Sequence, residues 1–298
     1  MAKEILAQDI PKVKELLLKV FKTDDYTDIS RMGGLTNHTY KVTLNNNEYV
    51  VRIPGEGTEE MIVRSDEKIS TNLACELGID AEMLYFGEDG SKVTKYISNA
   101  ITMSPELLCQ DKHIKQIADI FKKLHSCGVD TGVPFEVFEM AASYEKIIYD
   151  NNVAMFDDYD AKKAEIMQIK NEIDTSIDVK KVPCHNDSLC ENWVEGDGKM
   201  YLIDWEYAGM NDGMWDVADV SIEALFDAES DTKLLTAYLG HEPSVTNRKH
   251  FLANKIYVDY LWTLWAKARV PYDGQPMEDW AQERYARLKG FLKEYKNL

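Results

Sequence analysis

The sequence predicts an α+β fold with two lobes, a small N-terminal lobe of antiparallel sheet and a larger, mostly helical C-terminal lobe. Apolar and polar residues alternate in two adjacent runs within residues 40–53, which is the period of β-strands. Beyond about residue 100 the apolar residues follow helical spacing, interrupted by one more hairpin pattern within residues 193–203. We therefore predict an N-terminal lobe of residues 1–98 and a C-terminal lobe of residues 99–298.

Composition excludes several classes of protein. The net charge of -18 opposes nucleic-acid binding, because a phosphate backbone would be repelled, whereas it favours a cationic substrate. The sequence has no signal-peptide pattern and no apolar run long enough to cross a bilayer, so we expect a cytoplasmic protein without stable membrane insertion. The 5 cysteines form no CxxC pair, which favours reduced thiols. Cys184, His185 and Cys190 are conceivable zinc ligands, but no second pair completes the site.

The N-terminal elements follow in order. An amphipathic helix is predicted at residues 9–21, where apolar residues recur at helical spacing and Pro11 lies near the start. Residues 40–44 and 49–53 then form a hairpin around the turn residues 45–47.

The segment GGLTN precedes this hairpin. Gly33 and Gly34 permit a close backbone approach, and Thr36 and Asn37 add side-chain donors. This composition suits a loop over phosphates, although glycine pairs also mark ordinary turns.

Arg52 lies inside the second strand of the hairpin, where a charged residue is unexpected if the strand is buried. The next helix is predicted at residues 59–77 and offers Glu67 as an ionic partner, with Asp66 as a neighbouring candidate. A solvated charged face is the alternative interpretation of that helix. Two strands around Asp89 and Gly90 complete the predicted sheet, and the connection between lobes is placed at residues 95–100.

The central stretch, residues 184–216, carries the candidate chemistry. Residues 193–195 and 200–203 flank a turn, so Asn192 should lie beside Ile203 and Asp204 if the hairpin closes symmetrically. Asp187 comes 5 residues before Asn192, in a loop, and can approach the same point. Carboxylate and amide oxygens of this kind suit magnesium and phosphates.

Two patterns follow the central hairpin. Asp216, Asp219 and Glu223 form one acidic stripe if they lie on a helix, either a solvated face or part of a site. Trp262 and Trp265 lie three residues apart on a long predicted helix, and Trp280 follows. Tryptophans on helices are usually core residues, but near carboxylates they also bind quaternary ammonium groups by cation-π attraction.

The central stretch resembles the kinase-like phosphotransferases. HNDSLCEN fits their pattern HxDxxxxN, and IDWEYAG fits the position of their metal-binding aspartate. The resemblance implies a two-lobed protein-kinase-like fold in which Asp187 is the base, while Asn192 and Asp204 hold Mg2+ against the phosphates of ATP. It further implies that Arg52, paired with Glu67, fixes the phosphates.

The resemblance narrows to the bacterial choline/ethanolamine kinases. GGLTN, YVVRIPG, HNDxxxEN, LIDWEYAGMNDGMWD and LWTLW occur in the order and approximate spacing of that family, from Met32 to the end of the chain. It implies phosphorylation of choline by ATP, with nucleotide contacts from Gly34, Thr36, Asn37 and Arg52. Adenine would bind backbone groups near Lys95, Tyr96 and Ile97. The implied choline pocket consists of Asp187, Glu206, Tyr207, Glu223, Trp262, Trp265 and Trp280.

Three alternatives stay open. A primary ammonium also suits an anionic aromatic pocket, so ethanolamine is a rival substrate. An aminoglycoside kinase would keep the metal site. Its substrate site would resemble an acidic trough more than an aromatic pocket, and the three tryptophans argue against such a trough. A non-catalytic sensor of quaternary ammonium compounds would have no need for a base at Asp187.

Overall fold

A computed structural model describes residues 5–32, 37–55 and 62–298 and confirms the predicted α+β fold. Its contacts divide the chain into two compact units. The N-terminal unit comprises Met1–Met103 and Glu191–Ala208, and the C-terminal unit comprises Ser104–Cys190 and Gly209–Leu298. The predicted lobes followed chain order and did not foresee that the central hairpin groups with the N-terminal strands. The functions assigned to the two lobes stay predictions.

Five antiparallel strands form the main sheet of the N-terminal unit, in the order β1-β2-β3-β5-β4. Their bounds are β1 (Asp28–Arg31), β2 (Asn37–Leu44), β3 (Asn47–Pro54), β4 (Met83–Phe86) and β5 (Lys92–Lys95). The predicted hairpin is β2 and β3, with Tyr40 opposite Val51. Asn45 and Asn46 close it with φ values of 51° and 61°. Both values suit the tight primed turn that matches strand twist, and asparagine tolerates them well.

Two helices accompany this sheet. The first, α1 (Ile10–Phe21), confirms the predicted amphipathic helix and buries Val13, Leu16 and Leu17 against sheet residues that include Val51. The second, α2 (Arg64–Glu76), begins later than predicted, because Val63 has extended backbone dihedrals and forms its N-cap. Residues 59–61 of the predicted helix lie outside the described residues.

A smaller sheet of the N-terminal unit contains the central hairpin. It consists of β6 (Ile101–Thr102), β8 (Trp193–Gly196) and β9 (Lys199–Leu202), in the order β6-β8-β9. Trp193 lies opposite Leu202, and the turn residues Asp197 and Gly198 have φ values of 50° and 80°. The predicted hairpin and its register are therefore confirmed.

The C-terminal unit is helical apart from one strand pair, β7 (Lys181–Cys184) with β10 (Gly209–Asp212). Its helices are α3 (Pro105–Leu108), α4 (Asp111–His125), α5 (Val137–Asp150), α6 (Tyr159–Ser176), α7 (Gly213–Glu223), α8 (Ala228–Leu239), α9 (Val245–Asp273) and α10 (Gln275–Tyr295). The long helix α9 has a capping box from Ser244 and Asn247, and it is buried along most of its length. In the described part of the chain, no helix is both long and apolar enough to cross a membrane.

Asp80 is a buried carboxylate of the N-terminal unit with an unusual pKa. Its Oδ1 accepts the Ala81 N–H at 2.6 Å, and burial raises the pKa of Asp80 to about 6 from 3.8. The folded state therefore binds this proton more tightly than the unfolded state does. The stabilisation that the proton provides is present below about pH 4 and is lost as the pH rises towards 6.

We expect the Asp80→Asn substitution to remove this pH dependence. Between pH 4 and pH 7 the free energy of unfolding of the variant should rise, relative to the original protein, by about 2 kcal/mol. Urea unfolding at both pH values measures the difference. An identical pH dependence in the two proteins would show that Asp80 does not titrate as described.

Candidate active site

Arg52 is the centre of an ionic network in the N-terminal unit. It lies in β3, is only 5% exposed, and its Nη2 is 2.5 Å from Glu67 Oε1 on α2. The same Nη2 donates to the Gly90 carbonyl at 2.9 Å. Glu67 is held from its other oxygen by Arg64 Nη1 at 2.7 Å. The structure thus brings together the predicted pair of Arg52 and Glu67, and it adds Arg64, which sequence reasoning missed.

Asp204 extends this network. Its Oδ1 lies 3.4 Å from Arg52 Nη1, while its side chain is 38% exposed. Its backbone is left-handed, with a φ of 69°, a conformation that aspartate and asparagine adopt more readily than most residues. The turn leaves the carboxylate partly accessible, so Asp204 is paired with an arginine and still open to a ligand.

Asn192 and Asp204 are the predicted metal ligands. The Ile203 N–H donates to the Asn192 carbonyl at 2.9 Å, which places Asn192 beside the start of the Asp204 turn as the register predicted. Asn192 as a whole is 9% exposed. Amide and carboxylate oxygens are hard donors that suit Mg2+, so the residues present fit this ion.

Glu206 lies close to positive and polar groups of the same unit. Its Oε2 accepts from Asn37 Nδ2 at 3.3 Å and lies 3.7 Å from Arg64 Nη1. Burial, together with the negative charge of Asp204, raises the pKa of Glu206 to about 7. Tyr207 follows in the same turn and is half-buried. The predicted contacts of Glu206 and Tyr207 with choline stay predictions.

The predicted nucleotide contacts stay predictions. Gly34 and Thr36 lie outside the described residues. In the predicted adenine segment, the Lys95 N–H donates to the Glu82 carbonyl at 2.9 Å and the Tyr96 N–H to the Glu48 carbonyl at 3.1 Å. These two donors are already used within the sheet. Contact of adenine with the backbone groups of this segment stays a prediction.

The loop that carries Asp187 belongs to the C-terminal unit and is held through its backbone. Asp216 on α7 is completely buried, and its two carboxylate oxygens accept the N–H groups of His185 and Asn186, each at 2.8 Å. Asn186 has a φ of 68°, and its carbonyl accepts from Trp215 Nε1 at 3.1 Å. These bonds fix the course of the chain immediately before Asp187.

Asp219, one turn after Asp216, holds the same loop beyond Asp187. Its Oδ2 accepts the Ser188 N–H at 2.5 Å. Burial, followed by the charges of Glu223 and Asp187, raises the pKa of Asp219 well above 3.8. The predicted acidic stripe is therefore neither a solvated face nor wholly a substrate surface, since Asp216 and Asp219 bind backbone. The sequence showed the charges of Asp216 and Asp219 but not that both side chains are buried.

His125 on α4 completes the support of Asp216. Its Nε2 lies 3.0 Å from Asp216 Oδ2, and its Nδ1 lies 2.8 Å from the Tyr238 hydroxyl oxygen. His125, Cys184 and Asp216 each offer a ligand atom within 4.8 Å of the others. Burial raises the pKa of the Cys184 thiol well above 9.0, and the Asp216 oxygens already accept backbone N–H groups. This grouping is accounted for by hydrogen bonds without a metal ion.

We expect Asp216→Asn to impair catalysis as well as stability. An amide offers one acceptor oxygen where the loop needs two, so the free energy of unfolding should fall by roughly 3 kcal/mol. The displaced loop should lower kcat about thirtyfold, because small errors in position are costly to catalysis. Asp231→Asn is the control, since Asp231 binds Ser221 and Lys255 elsewhere in the same unit. Equal effects of the two variants on kcat would contradict the positioning role.

The three tryptophans of the predicted pocket form one chain of edge-to-face contacts in the C-terminal unit. The ring centroids of Trp262 and Trp265 are 6.1 Å apart, and those of Trp265 and Trp280 are 5.8 Å apart. Trp262 is buried, whereas Trp265 and Trp280 are half-buried. The structure thus brings these three predicted residues together, although their contact with a ligand stays a prediction.

Glu223 and Trp280 share a partner that the sequence did not reveal. Arg284 Nη2 donates to Glu223 Oε1, and the guanidinium carbon lies 4.3 Å from the centroid of the Trp280 ring. Arg284 follows Trp280 by four residues on α10, so the two lie on one face of that helix. This i, i+4 spacing of a tryptophan and an arginine was the available sequence signal.

The chain is similar in sequence to a known family and to several of its members. The family model described as Choline/ethanolamine kinase matches residues 29–283. Protein LicA of Haemophilus influenzae is 27% identical over 265 residues, which cover 86% of this chain and 77% of that protein. Ethanolamine kinase 1 of Homo sapiens is 25% identical over 258 residues, covering 75% of this chain and 57% of that protein.

Solved structures agree with the sequence relatives. A choline/ethanolamine kinase family protein from Mesorhizobium loti has a TM-score of 0.85 at 31% identity, covering 96% of each chain. Choline kinase LicA from Streptococcus pneumoniae has a TM-score of 0.83 at 28% identity, covering 97% of this chain and 100% of that one. LicA in complex with AMP has a TM-score of 0.78 at 28% identity, covering 96% of this chain and 98% of that one. An ADP-bound aminoglycoside phosphotransferase has a TM-score of 0.65 at 18% identity and shares the fold.

Proposed function

This chain belongs to the choline/ethanolamine kinase family, and on that premise we propose that it transfers the γ-phosphoryl group of ATP to the hydroxyl group of choline. As a member of the family it is a phosphotransferase that acts on the alcohol group of a small molecule. Choline rather than ethanolamine as the acceptor, and ATP with Mg2+ as the donor, are the specific parts of the proposal.

The observation that carries the proposal is the network of Arg52, Glu67 and Asp204. A buried arginine that is paired with one carboxylate and lies 3.4 Å from a second, more exposed one suits the binding of phosphates. Asn192 and Asp204 would hold the magnesium ion, which supplies neutralisation of phosphate charge when it is bound. The complex of the LicA relative with AMP supports a nucleotide as the donor.

Asp187 would orient the acceptor alcohol. Its carboxylate would accept the hydroxyl proton as the alcohol oxygen forms a bond to the γ-phosphorus and the bond from that phosphorus to the bridging oxygen of ADP breaks. Asp216 and Asp219, which hold the backbone on either side of Asp187, would keep the carboxylate in position. The chemical contribution of the chain is thus positioning and charge, with one proton transferred.

The acceptor subsite would consist of Glu223 and the three tryptophans, with Glu206 and Tyr207 as further predicted contacts. Indole faces attract quaternary ammonium ions, which cannot donate hydrogen bonds and therefore need no matched acceptors. The chain of edge-to-face contacts from Trp262 to Trp280 supplies such rings in a fixed arrangement. This aromatic character supports choline as the acceptor.

We expect Trp262→Phe to raise the KM for choline about tenfold, because phenylalanine has a weaker and smaller π face than tryptophan. The KM for ATP should stay within about twofold, and steady-state kinetics with each substrate varied in turn measures both. Since Trp262 is buried, the substitution also loosens the core of α9.

Ile256→Ala controls for this loosening, because Ile256 is fully buried in α9 and lies about two turns before Trp262. It should lower stability without raising the KM for choline selectively. If both variants raised the KM values for choline and ATP alike, Trp262 would be a core residue only.

The decisive experiment measures magnesium-dependent release of ADP from ATP with choline, ethanolamine, a thiamine-like alcohol and an aminoglycoside as acceptors. Preference for choline supports the whole proposal. Preference for ethanolamine, which relatives such as the human ethanolamine kinase make the second candidate, would keep the phosphotransfer and discard the choline assignment. Binding of ATP and choline without turnover of any alcohol would indicate a sensor.

A further inference from the structure

Arg284 connects the carboxylate and the ring that the acceptor subsite is proposed to use. It is 3% exposed, and its guanidinium contacts Glu223, Asp259 and Trp280. Nη2 donates to Glu223 Oε1, Nη1 donates to Asp259 Oδ1 at 3.0 Å, and the guanidinium carbon lies 4.3 Å from the Trp280 ring centroid. One planar group therefore fixes a carboxylate and an indole of the same subsite.

The position of Arg284 is fixed by its second carboxylate partner, Asp259. Asp259 on α9 is completely buried, and Arg287 donates to its Oδ2 from Nε at 2.8 Å and to its Oδ1 from Nη2 at 2.7 Å. Asp259 is thus clamped by two arginines and cannot follow Arg284 if that side chain moves. Arg287 donates its two hydrogen bonds to Asp259 rather than to Glu223, and its side chain is 33% exposed, which makes it a natural comparison.

We propose that Arg284 is a positioning residue that sets the preference of the acceptor subsite for a quaternary over a primary ammonium ion. The inference rests on the proposed function, since it assigns Glu223 and the tryptophans to the acceptor. A primary ammonium brings three N–H donors that need acceptors, whereas a trimethylammonium brings none. Because Arg284 occupies Glu223 Oε1, the subsite offers fewer free acceptors and favours the ion that needs none.

The indole contact has a parallel consequence. A guanidinium already covers one face of Trp280, so a substrate cation must use other ring surfaces of the tryptophan chain. Arg284 thereby restricts the movement of the Trp280 ring, the last of the three contacting tryptophan rings. Lysine at this position would keep the charge but could not bridge two carboxylates and cover a ring with one plane. The geometry of the guanidinium, rather than its charge, is therefore what the preference depends on.

Arg284→Lys tests the inference, with Arg287→Lys as the matched control. We expect Arg284→Lys to lower the ratio of kcat/KM for choline to kcat/KM for ethanolamine about tenfold, through a lower KM for ethanolamine as Glu223 Oε1 becomes available and a higher KM for choline as the Trp280 ring loosens. The KM for ATP should change less than about twofold, and Arg287→Lys should change the ratio less than about twofold. An unchanged ratio in Arg284→Lys, or an equal change in both variants, would overturn the proposal.

Calorimetric titration of the nucleotide-free protein with choline and with ethanolamine adds a readout that does not need turnover. In Arg284→Lys the affinity for choline should fall relative to that for ethanolamine, and an equal change for both ligands would overturn the inference. If the original protein phosphorylates neither alcohol, the proposed function fails while the titration still tests Arg284. If Arg284→Lys does not fold, Arg284→Gln replaces it, because glutamine leaves the Trp280 ring intact but cannot bridge Glu223 and Asp259, and the same change in relative affinity is expected.

Discussion

Asp187→Asn should lower kcat for phosphoryl transfer to choline about a thousandfold, which is within the range of a lost general base. Asparagine has nearly the same shape as aspartate but cannot accept the hydroxyl proton. The backbone bonds on either side of the residue come from Asp216 and Asp219, and these bonds do not involve the Asp187 carboxylate. The loop should therefore keep its course, and single-turnover kinetics measures the loss of the chemical step.

Nucleotide binding provides the internal control for this variant. Its affinity for ATP should stay within about threefold, because Arg52, Glu67 and Asp204 are unchanged. Asp119→Asn, on the exposed surface of α4, serves as a matched control and should keep full activity. Turnover of Asp187→Asn at more than about a tenth of the original rate would refute the role of Asp187 as the base.

Asp204→Asn should lower kcat at least about a hundredfold and raise the concentration of Mg2+ needed for half-maximal activity. The substitution removes the anionic oxygen proposed for the metal and leaves Arg52 with one carboxylate partner fewer. It should not disturb the turn, because asparagine adopts a φ near 69° as readily as aspartate does. Titration of activity with Mg2+ separates a metal-binding defect from a general loss of function.

The central hairpin supplies a matched control for Asp204. Asp197 lies at the other end of β9, also with a positive φ of 50°, and its Oδ2 accepts the Ser98 N–H at 3.2 Å. Asp197→Asn changes charge and turn chemistry in the same way but at a distance from Arg52 along the strand. It should leave the Mg2+ requirement unchanged. The same shift in both variants would mean that the effect comes from net charge rather than from a ligand.

The parts of the structure that the sequence predicted depend on local patterns. Asn45 and Asn46 close the β2–β3 hairpin through their own backbone preferences, and the alternation of apolar residues fixes the register on either side. The same reasoning placed Asn192 beside Ile203 across the central hairpin. Both predictions needed only residues within about a dozen positions of one another.

The parts that escaped prediction depend on contacts distant in sequence. Glu206 and Asn37 are 169 residues apart in the chain, so no local pattern could reveal their hydrogen bond. The roles of Asp216 and Asp219 were hidden for another reason. Their spacing was visible, but an acidic stripe looks the same whether it faces solvent or buried backbone. Whether a side chain is buried depends on the neighbouring elements, so it cannot be read from the sequence of one helix.

The support of the Asp187 loop has a consequence for which substitutions the protein can tolerate. Asp216 and Asp219 bind main-chain N–H groups, which every residue except proline possesses. The Ser188 hydroxyl, by contrast, has no hydrogen-bond partner among the described residues. In a library of single substitutions, alanine at position 188 should therefore be accepted while proline is rejected. The course of the loop at position 188 is therefore set by a helix about thirty residues downstream rather than by the side chain at that position.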